Sequence, residues 1–276
     1  MASCECSKIK GETVKRKIIR QISVASAVCL LVAGFMILAA RRTPAQSAEL
    51  RIMTSDGMKP VVQELTPEIE RATGRKLVAQ FDSSKNLRDK IQAGEPFDAA
   101  IITSDVLDVL IQQGKISAAS RRDISRTGIG VGVRAGAPKP DISTPEALKR
   151  ALLNAKFLSF NPSGASAVHI NDMLARLGIA DAMKPKLILD AAPGRPQQNV
   201  AEGKADLVVT LIPEIRFFPG VELVGPVPAE FQSYINFAAG VATNAHDAEG
   251  TQALIRFLTG PALPPVLKAK GMEPHQ

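Results

Sequence analysis

The sequence predicts an α/β protein of two lobes, each a mostly parallel sheet flanked by helices, with a ligand cleft between them. Three observations carry this expectation. From residue 49 onward, short apolar strands alternate with amphipathic helices, the pattern of βαβ units. A Gly-rich extended run, GIGVGVRAG at 128–136, breaks the rhythm, and a second series of strands and helices follows it. Several strands end in hydroxyl-bearing turns, and open α/β sheets bind ligands outside the carboxyl ends of their strands.

Residues 1–48 differ in kind from the rest. Lys8, Lys10, Lys15, Arg16, Lys17 and Arg20 make a basic start, and the 19-residue run ISVASAVCLLVAGFMILAA at 22–40 carries no charge. RRTPAQSA follows, with small residues at Ala45, Ser47 and Ala48. This order of basic, apolar and small-residue segments predicts an export signal cleaved near residue 48. The alternative is an uncleaved N-terminal membrane anchor, because the run almost suffices to span a bilayer. Eight of the 34 Lys and Arg and two of the 27 Asp and Glu lie in this leader, so the net charge of +7 falls to +1 beyond it. Nothing there argues for nucleic acid. Cys4, Cys6 and Cys29 are also confined to the leader. The remaining chain therefore has no disulfide, thiolate nucleophile or cysteine metal site, and it is long enough for an ordinary core.

Along that chain, ELRIMT (49–54) reads as a strand. The following helix places Val61, Val62, Leu65 and Ile69 on one face and stops at Gly74. Pro60 suits its first turn, and Pro67 predicts a kink or restart. KLVAQF (76–81) is the second strand, LRDKIQAG a helix closed by Gly94, and FDAAIIT (97–103) a strand buried on both faces. The helix SDVLDVLIQQG starts at Ser104. The second series runs STPEALKRALLNA (helix), KFLSF (strand), SGASAVHINDMLARLG (helix), KLILD (strand), NVAEG (short helix) and ADLVVTLI (strand). YINFAAGVAT (234–243) returns as a strand, and a helix pair closes the chain. The expected organisation is lobe one at 49–128 plus 235–276 and lobe two at 129–234.

The turn FDSS at 81–84 poses a choice. Ser83 and Ser84 could cap a helix, since serine oxygens accept first-turn N–H groups. They could also complete an anion cradle, since a helix start offers free donors and a positive dipole end. Thr54–Ser55–Asp56–Gly57 and Thr103–Ser104 also place hydroxyls at strand ends, which moves the choice toward a site.

Four segments together resemble the periplasmic substrate-binding proteins of ABC transporters, type II fold, molybdate-binding kind: FDSSKNLRDKIQAGEPFDAAIITSD, FNPSGASAVHINDMLARLGI, VAEGKADLVV and IRFLTGPALPPVLKAKGMEP. The resemblance covers essentially all of 49–273. It implies a periplasmic receptor, not an enzyme, that holds a molybdate-type oxyanion and delivers it to an ABC permease. Hydroxyls and backbone N–H groups hold the oxyanion, with no direct metal ligands and no cofactor. Charge-assisted hydrogen bonds of about 1.5–3 kcal/mol each make such a site adequate with roughly four or five donors. Carried over, the site falls on Ser83 and Ser84, on Ser163 to Ser166, and on Ala192 to Gly194. Ser84 and Ser166 are the principal oxyanion contacts. Replacing either by alanine is expected to weaken binding without unfolding the protein.

Two positions depart from the family pattern. Gly57, preceded by Ser55 and Asp56, stands where the first turn carries a serine, and Thr210 stands where a late tyrosine is found. Asp56 would repel a dianion unless it points away. A small organic acid is therefore the alternative ligand, and a membrane-anchored sensor of the same fold the alternative role. No catalytic motif of the HxxxH, G-x-S-x-G or Walker type occurs. His169 reads as a helix-surface residue, Arg195 as a loop residue at the cleft edge or in solvent, and Asp98, Asp105 and Asp206 as caps. His246 and His275 carry no assignment.

Overall fold

The computed structural model describes residues 49–275. The leader, with its export-signal expectation and its cysteines, lies outside the described residues. The first series comprises β1 (Glu49–Ser55), α1 (Lys59–Thr73), β2 (Lys76–Asp82), α2 (Ser84–Gln92), β3 (Ala99–Thr103), α3 (Ser104–Gln112) and β4 (Arg122–Thr127). The second comprises β5 (Ile129–Arg134), α4 (Pro145–Asn154), β6 (Leu158–Phe160), α5 (Ala167–Arg176), α6 (Ala180–Met183), β7 (Leu187–Leu189), α7 (Arg195–Ala201), β8 (Leu207–Leu211), α8 (Ile212–Arg216) and β9 (Val221–Pro226). The chain then returns through β10 (Ile235–Val241), α9 (Ala248–Leu258), α10 (Leu263–Ala269) and β11 (Glu273–Pro274).

The strands form a six-stranded sheet, β11-β4-β10-β3-β1-β2, and a five-stranded sheet, β7-β6-β8-β5-β9. Both are mixed, which corrects the expectation of mostly parallel sheets. Only β1–β2, β1–β3, β6–β7 and β6–β8 pair in parallel. The returning β10 inserts antiparallel between β3 and β4, and β5 runs antiparallel to both β8 and β9.

Strand alternation sends side chains to two covered faces. Leu50, Ile52 and Ile101 join Val61, Val62 and Leu65 of α1 in one cluster. Met53, Ala100 and Ile102 join Leu87 and Ile91 of α2 and Leu107 of α3 in another. The α1 helix starts with Pro60 in its first turn and ends at a left-handed Gly74, φ 65°. It continues through Pro67 without the restart that was one of the two expectations there. The carbonyl that Pro67 cannot satisfy belongs to Gln63, which is exposed and can take water.

Register puts the strand ends where they matter. Ser55 stands opposite Asp82, and Thr54 lies between Phe81 and Ile101. The carboxyl ends of β1, β2 and β3 therefore share one edge. The chain passes between the sheets at Gly128 and again at 227–234. Gln232 laces the two passages: its Oε1 accepts from the N–H groups of Ile129 (2.7 Å) and Ser233 (3.1 Å), and its Nε2 donates to the Ile129 carbonyl (3.0 Å).

Candidate functional site

A cleft of about 670 Å³ opens between the two sheets. From the first sheet it takes Ser55, Asp56 and Lys59 after β1, and Ser83 and Ser84 after β2. From the second it takes Asn161 and 164–166 after β6, Gly194 and Gln197 around the start of α7, Thr210 near the end of β8 and Glu214 in α8.

The two serines after β2 divide the work. Ser83 is the N-cap of α2, its Oγ accepting from the Asn86 N–H at 3.2 Å. Ser84 Oγ accepts from the Thr103 N–H at 3.1 Å, bracing the β2 turn against the β3 turn. Each oxygen is thus an acceptor toward the protein, and its O–H stays available as a donor. The first-turn N–H groups of Ser84 and Lys85 have no intrahelical partner by helix geometry. Asp82 is spoken for: it accepts from Ser83 N–H, Asn86 Nδ2 and Lys90 Nζ, each at 2.8 Å. Ser84 therefore has a structural bond of its own, and its replacement by alanine is expected to lower stability as well as weaken binding.

On the other side, Asn161 organises the turn after β6. Its Oδ1 accepts from Ser163 N–H at 2.8 Å, and its carbonyl from Gly164 N–H at 3.1 Å. Ser166 is buried at the start of α5, with no side-chain capping bond. Gly194 holds a left-handed conformation, φ 73°, where an added Cβ would meet the Phe218 ring at 3.1 Å.

Six predicted positions line this cleft: Ser55, Ser83, Ser84, Ser166, Gly194 and Thr210. Three do not. Gly57 is buried where the sheets approach each other, and a Cβ there would sit 2.7 Å from Phe237 Cζ and 2.8 Å from Leu211 Cδ1. Ser163 faces a second cavity, together with His169 and Asp105. Ala192 is exposed. Arg195 is held by Asp190 (3.2 Å) and Gln198 (3.0 Å) away from the cleft lining. Asp98 takes the N–H groups of Arg51 and His246 (2.8 and 3.0 Å), and Asp206 those of Lys156 and Phe157 (2.5 and 3.2 Å).

Asp56 faces the cleft rather than away from it. Burial and the charge of Asp82 push its carboxyl up to about 6, against the opposing pull of Lys59 and Lys90. A second carboxyl, Glu214, went unnoticed in the sequence. Burial and then the charge of Asp56 push it up to about 7, while hydrogen bonds from Thr210 and Gln197 hold it down in part. Thr210 Oγ1 donates to Glu214 Oε2 at 2.5 Å, and Gln197 Nε2 reaches the same oxygen at 3.4 Å. Gln197 is 4% exposed, and its Oε1 has no partner. The remaining charges are Lys59 and a Lys270–Glu64 pair, with Lys270 4.1 Å from the Phe217 ring centre. Thr210 and Glu214 sit four residues apart across a strand-to-helix turn.

The sequence profile described as "bacterial extracellular solute-binding protein" matches residues 50–273. An aconitate isomerase of Pseudomonas sp. is 28% identical, over 88% of this chain and 95% of that protein. The molybdate-binding protein ModA of Azotobacter vinelandii is 26% identical, over 90% of this chain and 97% of that protein. The solved periplasmic molybdate-binding protein of A. vinelandii superposes with a TM-score of 0.71 at 18% identity, covering 82% of this chain and all of that one. The two-lobed fold of the molybdate-binding kind is thus common to both.

Proposed function

The chain belongs to the bacterial extracellular solute-binding protein family, and from that premise we propose that it captures a small anion between its two lobes outside the cytoplasm and presents it to an ABC permease. The lobes are 49–128 with 235–276, and 129–234. The supporting observation is that hydroxyl donors from both sheets line one cleft, with Ser55, Ser83 and Ser84 on one side and Ser166 on the other. A ligand that touches both lobes has the differential affinity that closure requires. The anion is an oxyanion of the molybdate type or a small organic acid, and both present the same acceptor oxygens to these donors. Calorimetry on the purified protein with molybdate, tungstate, sulfate, phosphate and citrate tests the reading. Saturable one-to-one binding of any of them supports it, and silence toward all of them overturns it.

A second reading is an isomerase of an unsaturated organic acid. Its specific support is the pair of cleft carboxyls near neutrality, Asp56 and Glu214, together with the 28% identical aconitate isomerase. Carboxyls poised near the working pH suit proton transfer. Incubation with trans-aconitate, followed by chromatography for the cis isomer, decides it. Conversion above the buffer rate establishes the isomerase, and its absence leaves the receptor.

A further inference from the structure

We propose that Asp56 and Glu214, brought from the two lobes onto one cleft, make the site selective for an organic polycarboxylic acid taken up together with protons, over a compact mineral oxyanion. This rests on reading the cleft as an anion site and names the ligand class of that site.

The charges around the pair set the sign of the cleft. Asp56 is faced by Asp82, Lys59 and Lys90. Asp82 is already saturated by Ser83 N–H, Asn86 and Lys90. Glu214 is faced by Asp56, Thr210 and Gln197. Among lining residues, Lys59 and Lys270 against Glu64 leave one net positive charge while Asp56 and Glu214 are neutral. Ionising both acids turns this into one net negative charge. A mineral dianion between two carboxylates meets like charge. Two neutral acids instead offer O–H donors to a ligand's carboxylates, so anion binding and proton uptake are linked.

Two further observations favour an organic ligand. Gln197 Oε1 is a buried acceptor without a partner on the cleft wall, and an unpaired buried acceptor costs about 1–3 kcal/mol. A carboxylic acid or hydroxyl on the ligand can donate to it; a fully ionised oxyanion has no donor. One wall is also apolar, formed by Pro60, Pro196, Pro213, Phe217 and Phe218, which suits a carbon skeleton. The volume of about 670 Å³ lies inside the roughly 300–1,000 Å³ range of organic-ligand pockets.

The test is calorimetry on the purified protein at pH 6 and pH 8, in buffers of different ionisation enthalpy, with citrate, tricarballylate and molybdate as probes. Wild type, Asp56→Asn and Glu214→Gln are compared, so that the ligands' own ionisation cancels. The expected result is net proton uptake with both tricarboxylates and affinity at least tenfold tighter at pH 6 than at pH 8. Each amide variant should lose part of the uptake and flatten the pH dependence. Tight, pH-independent molybdate binding without proton uptake overturns the inference and leaves the anion site standing. Silence toward all three probes at both pH values overturns the anion site itself. If one variant fails to fold, the other supplies the comparison: proton uptake equal to that of the wild type sinks the inference, and reduced uptake supports it.

Discussion

Alanine at Ser84 and at Ser166 should have different consequences, although both face the same cleft. Ser84 Oγ accepts the Thr103 N–H at 3.1 Å, and Ser84 and Thr103 are 3% exposed. Removing that oxygen orphans a buried donor, at a cost of about 1–3 kcal/mol. For a domain of this size, each kcal/mol shifts Tm by about 2–4 °C, so Ser84→Ala should melt roughly 2–12 °C below wild type. Ser166 Oγ makes no capping bond, and Ser166→Ala should stay within about 0.5 kcal/mol of wild type. In binding, each loses a charge-assisted hydrogen bond of about 1.5–3 kcal/mol, which is roughly 10- to 150-fold in Kd. Thermal unfolding monitored by circular dichroism gives the first quantity, and titration with the ligand the second. Wild-type affinity in Ser166→Ala would remove Ser166 from the site. An unchanged Tm in Ser84→Ala would refute the bracing argument, and with it the claim that this hydroxyl has a structural as well as a ligand-facing role.

Glu214→Gln should alter the pH dependence of stability. A carboxyl raised from 4.5 to about 7 in the folded state contributes stability that is fully present below about pH 4.5 and is lost as pH rises through 7. The variant lacks that loss, so it should exceed wild type by about 1–3 kcal/mol at pH 8 and match it near pH 4.5, as read from urea unfolding at the two pH values. Gly57→Ala should destabilise by about 1–3 kcal/mol, because its Cβ would lie 2.7 Å from Phe237 and 2.8 Å from Leu211; an unshifted denaturation midpoint would contradict that packing. Gln232→Ala removes the side chain that laces the two passages between lobes through Ile129 and Ser233. It should lower stability by about 2 kcal/mol and speed amide exchange at Ile129 and Ser233 in a hydrogen-exchange experiment.

The elements legible in the sequence are those whose apolar pattern is undiluted. β3, AAIIT, is buried at every position, and α1 shows its stripe between Pro60 and Gly74. β4 and β9 escaped because their pattern is broken. β4 reads RDISRT, with exposed Arg122 and Arg126. β9 reads VELVGP, which a Pro and a Gly disguise as a turn. Both are antiparallel additions to a parallel core, so missing them also produced the expectation of mostly parallel sheets. The hydroxyl-bearing turns were legible because they follow directly on strands, where local sequence and position at the sheet edge coincide.

Glu214 was illegible for a different reason. As part of IPEIR it reads as an ordinary first-turn acid of a short helix, favourable near a helix N-terminus. Its character comes first from burial and then from Asp56, more than 150 residues earlier, and no local pattern contains either. In the sequence Asp56 reads as a conflict, a carboxyl where an anion is expected, which a charged side chain resolves only by turning away. The structure keeps it in the cleft and changes its proton affinity instead. A departure from a family pattern at a binding turn can therefore mark a change of ligand rather than a weakened site. Gly57 at the serine position lacks a side-chain donor, and the neighbouring Asp56, while protonated, supplies one. The donor set for an anion is preserved, its availability becomes a function of pH, and a ligand that ionises in the same range is favoured over one that does not.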